Sequence, residues 1–147
     1  MAVKPHVLIV EARFYPDIAD ELVRGAVAVL EDAGATYERV AVPGAFELPA
    51  AIRMAIERGK HDGYVALGCV IRGETTHYDY VCAETASGLG EIAIRYMVAI
   101  GYGILTCENR EQAWARAAVD KKNKGRDAAE ACLAMIRLKQ SLGLGPR

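Results

Sequence analysis

Between Arg72 and His77 the chain reads RGETTH: a guanidinium, a carboxylate, two hydroxyls and an imidazole packed into one short stretch. An apolar run precedes it and an amphipathic pattern follows, so it marks a seam where a strand ends and a helix opens. Backbone N–H groups at such a seam are unpaired, and the helix dipole favours an anion. Gly73 lets backbone approach a ligand closely, while Thr75 and Thr76 add hydroxyl donors. A plain strand–helix turn would use the glycine and a threonine cap, but would not need Arg72, Glu74 and His77 as well. The imidazole of His77 can accept a proton near pH 7 and pass it on, although a helix-capping histidine has the same sequence appearance.

Other chemically capable residues are scattered. Phe14 and Phe46, the two phenylalanines, lie in the polar stretches EARFYPD and VPGAFE rather than in apolar runs. An aromatic there can stack on a flat ligand or anchor a loop. Glu47 suits the positive end of a helix and can equally accept from a ligand. The basic run KKNKGR puts cations before a helix, which is unfavourable unless an anion offsets them. Arg116 follows Gln112 by one helical turn and shares its face. His6 and His61 are expected to be solvated. Cys69, Cys82, Cys107 and Cys132 have no paired spacing, so reduced buried thiols are expected, with no disulfide and no metal site.

These residues must be positioned by regular elements. Strands are predicted at Val7–Val10, Thr36–Val42, Tyr64–Ile71 and Tyr102–Thr106. Helices fall between them: one capped by Asp17 and stopped by Gly34, one with Pro49 in its first turn and ended by Gly59, and a longer one after His77. Short and long helices follow at Glu111–Ala118 and Asp127–Leu142. Strands alternating with helices predict an α/β fold: a three-layer α/β/α sandwich, flavodoxin-like, around a four-stranded parallel sheet. Ligands of such sheets gather outside the carboxyl ends of the strands. EARFYPD, VPGAFE, RGETTH and TCEN each follow a strand, so all four converge on that edge. Tyr102, opening the last strand, falls at the opposite edge, about 13 Å away at strand rise, where it can serve only a neighbouring subunit. Gly88 and Gly90 inside the long helix suggest close approach of a neighbouring subunit's helix.

The chain of 147 residues is expected to form one domain spanning residues 1–147. Lys plus Arg number 18 against 19 Asp plus Glu, which argues against nucleic acid as a partner. No segment approaches membrane-spanning length, the first residues lack a signal-peptide core, and a cytoplasmic location is expected.

VPGAFELP, LGCVIRGETTHYDYV, GILTCEN and NKG, in this order, make the chain resemble the lumazine synthase family of riboflavin biosynthesis, over roughly Val7 to Leu138. The resemblance implies condensation of 5-amino-6-(D-ribitylamino)uracil with L-3,4-dihydroxy-2-butanone 4-phosphate, giving 6,7-dimethyl-8-ribityllumazine and phosphate without metal or organic cofactor. It also implies roles. Phe14 would stack on the pyrimidine; Ala45, Phe46 and Glu47 would hold the ribityl chain; Cys69, Val70 and Ile71 would meet the pyrimidine through backbone groups. Gly73, Glu74 and Thr75 would bind the keto-phosphate, and His77 would shuttle protons. Tyr102, Arg116 and Lys124 would come from the adjacent subunit of a homo-oligomer, Arg116 clamping phosphate. Tyr15 and Pro16 depart from the family's usual asparagine after the first aromatic, and Tyr102 stands where phenylalanine is common. The few residues before the first strand favour a pentamer over a sixty-subunit shell. Alternatives within the fold are an archaeal-type riboflavin synthase, which uses no phosphorylated partner, and a lumazine- or flavin-binding protein without catalysis.

Overall fold

The computed structural model describes residues 4–145. Four strands, β1 (His6–Ala12), β2 (Thr36–Val42), β3 (Gly63–Ile71) and β4 (Ala99–Cys107), form one parallel sheet in the order β2-β1-β3-β4. Helices α1 (Pro16–Asp32), α2 (Leu48–Arg58, preceded by a 3-10 turn at Ala45–Glu47), α3 (His77–Tyr96), α4 (Arg110–Ala117) and α5 (Lys124–Ser141) make the connections. The architecture is the expected three-layer, flavodoxin-like α/β sandwich.

Strand alternation builds two cores. Val7, Ile9, Val65, Leu67 and Leu105 face α1, α4 and α5, where they meet Ile18, Leu22, Ala113, Ala129 and Leu133. Leu8, Val10, Tyr64, Ala66 and Ile104 face the other way, against Leu48 and Ile52 of α2 and Leu89 and Ile92 of α3. Each such Val, Ile or Leu side chain contributes about 1.5–3 kcal/mol by leaving water. Because both faces of β1 and β3 are covered, these strands read as unbroken apolar runs.

Several local expectations are corrected. β1 does not stop at Val10. It continues to Ala12 because the carboxylate of Glu11, 3% exposed, is held by Arg39 through Nε and Nη2 (2.8 and 2.9 Å) and by Arg13 Nη1 (2.7 Å). Asp17 does not cap α1: Tyr15 occupies the cap position, Pro16 takes the first turn, and Asp17 pairs with Arg110. Gly34 and Gly59 end α1 and α2 in left-handed conformation, as expected.

Tyr102 does not open β4. The strand begins at Ala99, and Tyr102 sits mid-strand opposite Ala66. Gly88 is explained inside the chain, since a Cβ there would lie 2.9 Å from the Pro49 ring where α3 crosses α2. A Cβ on Gly90 would meet nothing. α5 begins at Lys124 rather than Asp127, and Gly125 lets it cross α1, because a Cβ there would stand 2.0 Å from the Leu22 carbonyl oxygen. His6 and His61 are not both solvated: their rings stack 5.0 Å apart and His61 is buried. No described helix is long and apolar enough to cross a membrane.

Candidate functional site

The carboxyl ends of β1, β2 and β3 and the first two turns of α3 enclose a cleft of about 560 Å³. Its walls come from the stretches that the sequence places on this edge. Phe14 and Tyr15 follow β1, Pro43 to Glu47 follow β2, and Cys69, Val70 and Ile71 close β3. His77, Tyr80, Val81 and Glu84 present one face of α3, at the i, i+3, i+4, i+7 spacing of a single helical stripe. Pro16 at the first position of α1 and the 3-10 turn at Ala45 fix the two aromatic loops as the chain leaves the sheet.

Phe14 is 68% exposed and Phe46 58%, an unusual state for phenylalanine, and both line the cleft. Phe14 makes an edge contact with Tyr15, ring centroids 5.0 Å apart. Such rings give up apolar area to water unless something flat covers them. Glu47 Oε1 accepts the Gly44 N–H at 3.0 Å, which holds the VPGAFE turn in shape and leaves the carboxylate's second oxygen to act on a ligand. Ala45 is buried beneath the turn and packs with Leu48.

Burial pushes the Cys69 thiol up to about 12, with the nearby Cys107 thiol acting in the same direction. The group is therefore neutral at pH 7 and no nucleophile, so β3 can offer the cleft only backbone polar groups and apolar surface. His77 is exposed at the first position of α3, and its backbone N–H donates to Thr75 Oγ1 at 3.3 Å. The hydroxyl of Thr75 thus partners the helix end, while Thr76, at the cap position, makes no side-chain cap bond.

Not every candidate meets in this cleft. Gly73, Glu74 and Thr75 are exposed on the loop beside it, and a Cβ on Gly73 would touch nothing. Arg72 turns away from any anion site there: its guanidinium donates to Glu108 (2.6 Å) and Asp79 (3.3 Å) and lies over the Tyr78 ring. Tyr102, 46% exposed, Arg116 and Lys124 stand outside the cleft walls. Arg116 Nη1 donates to the Gln112 carbonyl at 3.0 Å, as its one-turn spacing suggested. The cations in the first turn of α5 do not lack an anion, since Lys124 Nζ reaches Asp127 Oδ2 at 3.3 Å and Arg126 reaches the same carboxylate.

Sequence reasoning missed Tyr15, Tyr80, Val81 and Glu84 as wall residues. The signal for the last three was present: counting forward from His77 by helical spacing names them. The asparagine of TCEN proves structural, because Asn109 Oδ1 accepts the Gln112 N–H at 2.9 Å and caps α4.

Comparison with known proteins adds a family. The family model for 6,7-dimethyl-8-ribityllumazine synthase matches residues 4–140. A protein named 6,7-dimethyl-8-ribityllumazine synthase from Bartonella tribocorum is 57% identical over 145 residues, covering 97% of this chain and 95% of its own. Its namesake from Agrobacterium fabrum is 55% identical over 145 residues, covering 95% and 98%. The 6,7-dimethyl-8-ribityllumazine synthase 1 of Rhizobium meliloti is 55% identical over 147 residues, covering 96% of each.

Proposed function

This chain belongs to the 6,7-dimethyl-8-ribityllumazine synthase family, and from that premise we infer which of its residues carry the reaction. The reaction condenses 5-amino-6-(D-ribitylamino)uracil with L-3,4-dihydroxy-2-butanone 4-phosphate, the penultimate step of riboflavin biosynthesis. The riboflavin synthase alternative is not favoured, since the family model and the relatives carry the lumazine synthase name.

The substrate's own amine attacks the ketone, so the protein need supply no covalent nucleophile. A neutral, buried Cys69 fits that division of labour. Phe14 stacks on the pyrimidine, and backbone groups of Cys69, Val70 and Ile71 read its polar edge. Phe46 and Ala45 cover the ribityl chain, whose hydroxyls donate to Glu47. The keto-phosphate lies on the outer side, against Gly73, Glu74 and Thr75 at the start of α3.

His77 stands between the two substrates. It takes a proton as the imine forms and rearranges, and returns one as phosphate and water leave. Holding both reactants in one cleft converts a two-body encounter into an oriented, unimolecular step, which is the larger share of the catalysis.

The phosphate's charge is met by Arg116, with Lys124 and Tyr102, of an adjacent subunit in a homopentameric ring. Lys124 shares itself between Asp127 and that anion. What supports a shared site is that these residues stand outside the cleft of their own chain.

The observation that carries the functional reading is the convergence of Phe14, Phe46, Glu47, the end of β3 and His77 on one cleft. The test is direct. Purified protein mixed with both substrates should produce the lumazine chromophore and one phosphate per turnover, faster than the spontaneous reaction. No rate above that background would refute the reading. Conversion of the lumazine itself to riboflavin, without any phosphorylated partner, would support the alternative.

A further inference from the structure

At the amino ends of the strands, opposite the cleft, three side chains converge that lie far apart in the chain. His6 opens β1, Glu38 is the third residue of β2, and His61 stands just before β3. The parallel register places His6 beside Thr36 and Leu8 beside Glu38, which brings the first imidazole over the carboxylate. His6 Nε2 and His61 Nε2 each lie 2.9 Å from the same oxygen, Glu38 Oε1. The rings stack at 5.0 Å with 17° between their planes, so both Nε2 atoms point the same way.

We propose that His6 Nε2, His61 Nε2 and Glu38 bind one divalent transition-metal ion of the zinc class. The three donor atoms lie within 4.8 Å of one another, and since two bonds of about 2.0–2.2 Å span at most about 4.4 Å, a side-chain adjustment of about half an ångström brings all of them onto a single ion. Two imidazoles and a carboxylate are the donor set that zinc and its neighbours accept, with one coordination position left for water.

The surroundings are those of a held site. His6 Nδ1 lies 2.7 Å from Thr36 Oγ1; donating its N–H there, it leaves Nε2 as a lone pair for the metal. The backbone of His6 is pinned from both sides by Asp62, whose carboxylate accepts the His6 N–H and whose N–H donates to the His6 carbonyl, each at 2.7 Å. His61 is 8% exposed and packs against the Tyr64 ring, while Glu38 faces solvent and leaves an entry path. Binding places the Nε2 lone pairs and the Glu38 carboxylate on one ion and clips β1, β2 and the loop before β3 together.

The test uses tag-free full-length protein stripped with chelator. Calorimetric titration with Zn²⁺ should give one ion per chain and a raised melting temperature, and Co²⁺ should show visible bands without a near-ultraviolet thiolate charge-transfer band. Glu38→Gln, an exposed change, should weaken Zn²⁺ binding more than about tenfold, and Thr36→Val by about tenfold through loss of the supporting hydrogen bond. No saturable binding, undiminished binding in Glu38→Gln, or a thiolate signature would each overturn the proposal.

Discussion

His77 is placed by the helix it begins, so its imidazole can move against the cleft while its backbone stays fixed by Thr75. Replacing it with Ala should lower kcat by about a hundredfold or more, once the spontaneous condensation is subtracted, because general acid–base groups contribute on that scale. An unchanged rate would leave His77 as a helix terminus only. Glu11 acts on stability instead. Burial pushes its carboxyl up, but hydrogen bonds from Arg39 and then Arg13 outweigh this and bring it below the ordinary value. A group depressed on folding stabilises the protein above its unfolded pKa of about 4.3 and loses that contribution as pH falls through the folded value. Glu11→Gln should therefore cost about 3 kcal/mol at pH 7, by removing the carboxylate that Arg39 pairs with and leaving Arg13 to Asp20 alone, and much less in acid. Urea midpoints for both proteins at pH 7 and pH 3 check this, and a gap independent of pH would contradict it.

Two glycines in the motifs do opposite work. Gly125 is where α5 lies against the α1 backbone, and Gly125→Ala should destabilise by more than about 2 kcal/mol because neither helix can yield locally. Gly73 faces open space, so Gly73→Ala should leave the urea midpoint within about 0.5 kcal/mol while weakening use of the keto-phosphate. A loss of stability at Gly73, or none at Gly125, would show the assignments reversed. The elements themselves were legible for two reasons: β1 and β3 are covered on both faces and show as apolar runs, while Gly34 and Pro43 bracket the exposed edge strand β2. β4 was not, because Ala99, Gly101 and Gly103 are small where α5 lies on the strand, and small residues carry little hydrophobic pattern. The strand-end loops were readable as one edge from topology alone. Tyr80 and Glu84 were not singled out, since on a helix facing a cleft they look like ordinary solvated positions. The His6–Glu38–His61 cluster was invisible for a different reason: only the strand register brings those residues together.

At the scale of the whole molecule, the cleft of one chain holds aromatic rings, a carboxylate and an imidazole, while Arg116 and Lys124 lie outside its walls. A phosphorylated substrate needs a cation, and a heterologous interface repeated around a closed ring would bring one subunit's Arg116 to the next subunit's cleft. Arg116→Ala alone should raise KM for the keto-phosphate far more than for the pyrimidine, as loss of directional guanidinium–phosphate pairing requires. The most direct measurement mixes His77→Ala protein with Arg116→Ala protein, each weakly active, after unfolding, and reassembles them together. With random assortment, about a quarter of the interfaces carry an intact His77 facing an intact Arg116, so activity should rise to about a quarter of that of the unsubstituted ring. Confirmed reassembly with activity no higher than the mean of the two parents would contradict a site shared between subunits.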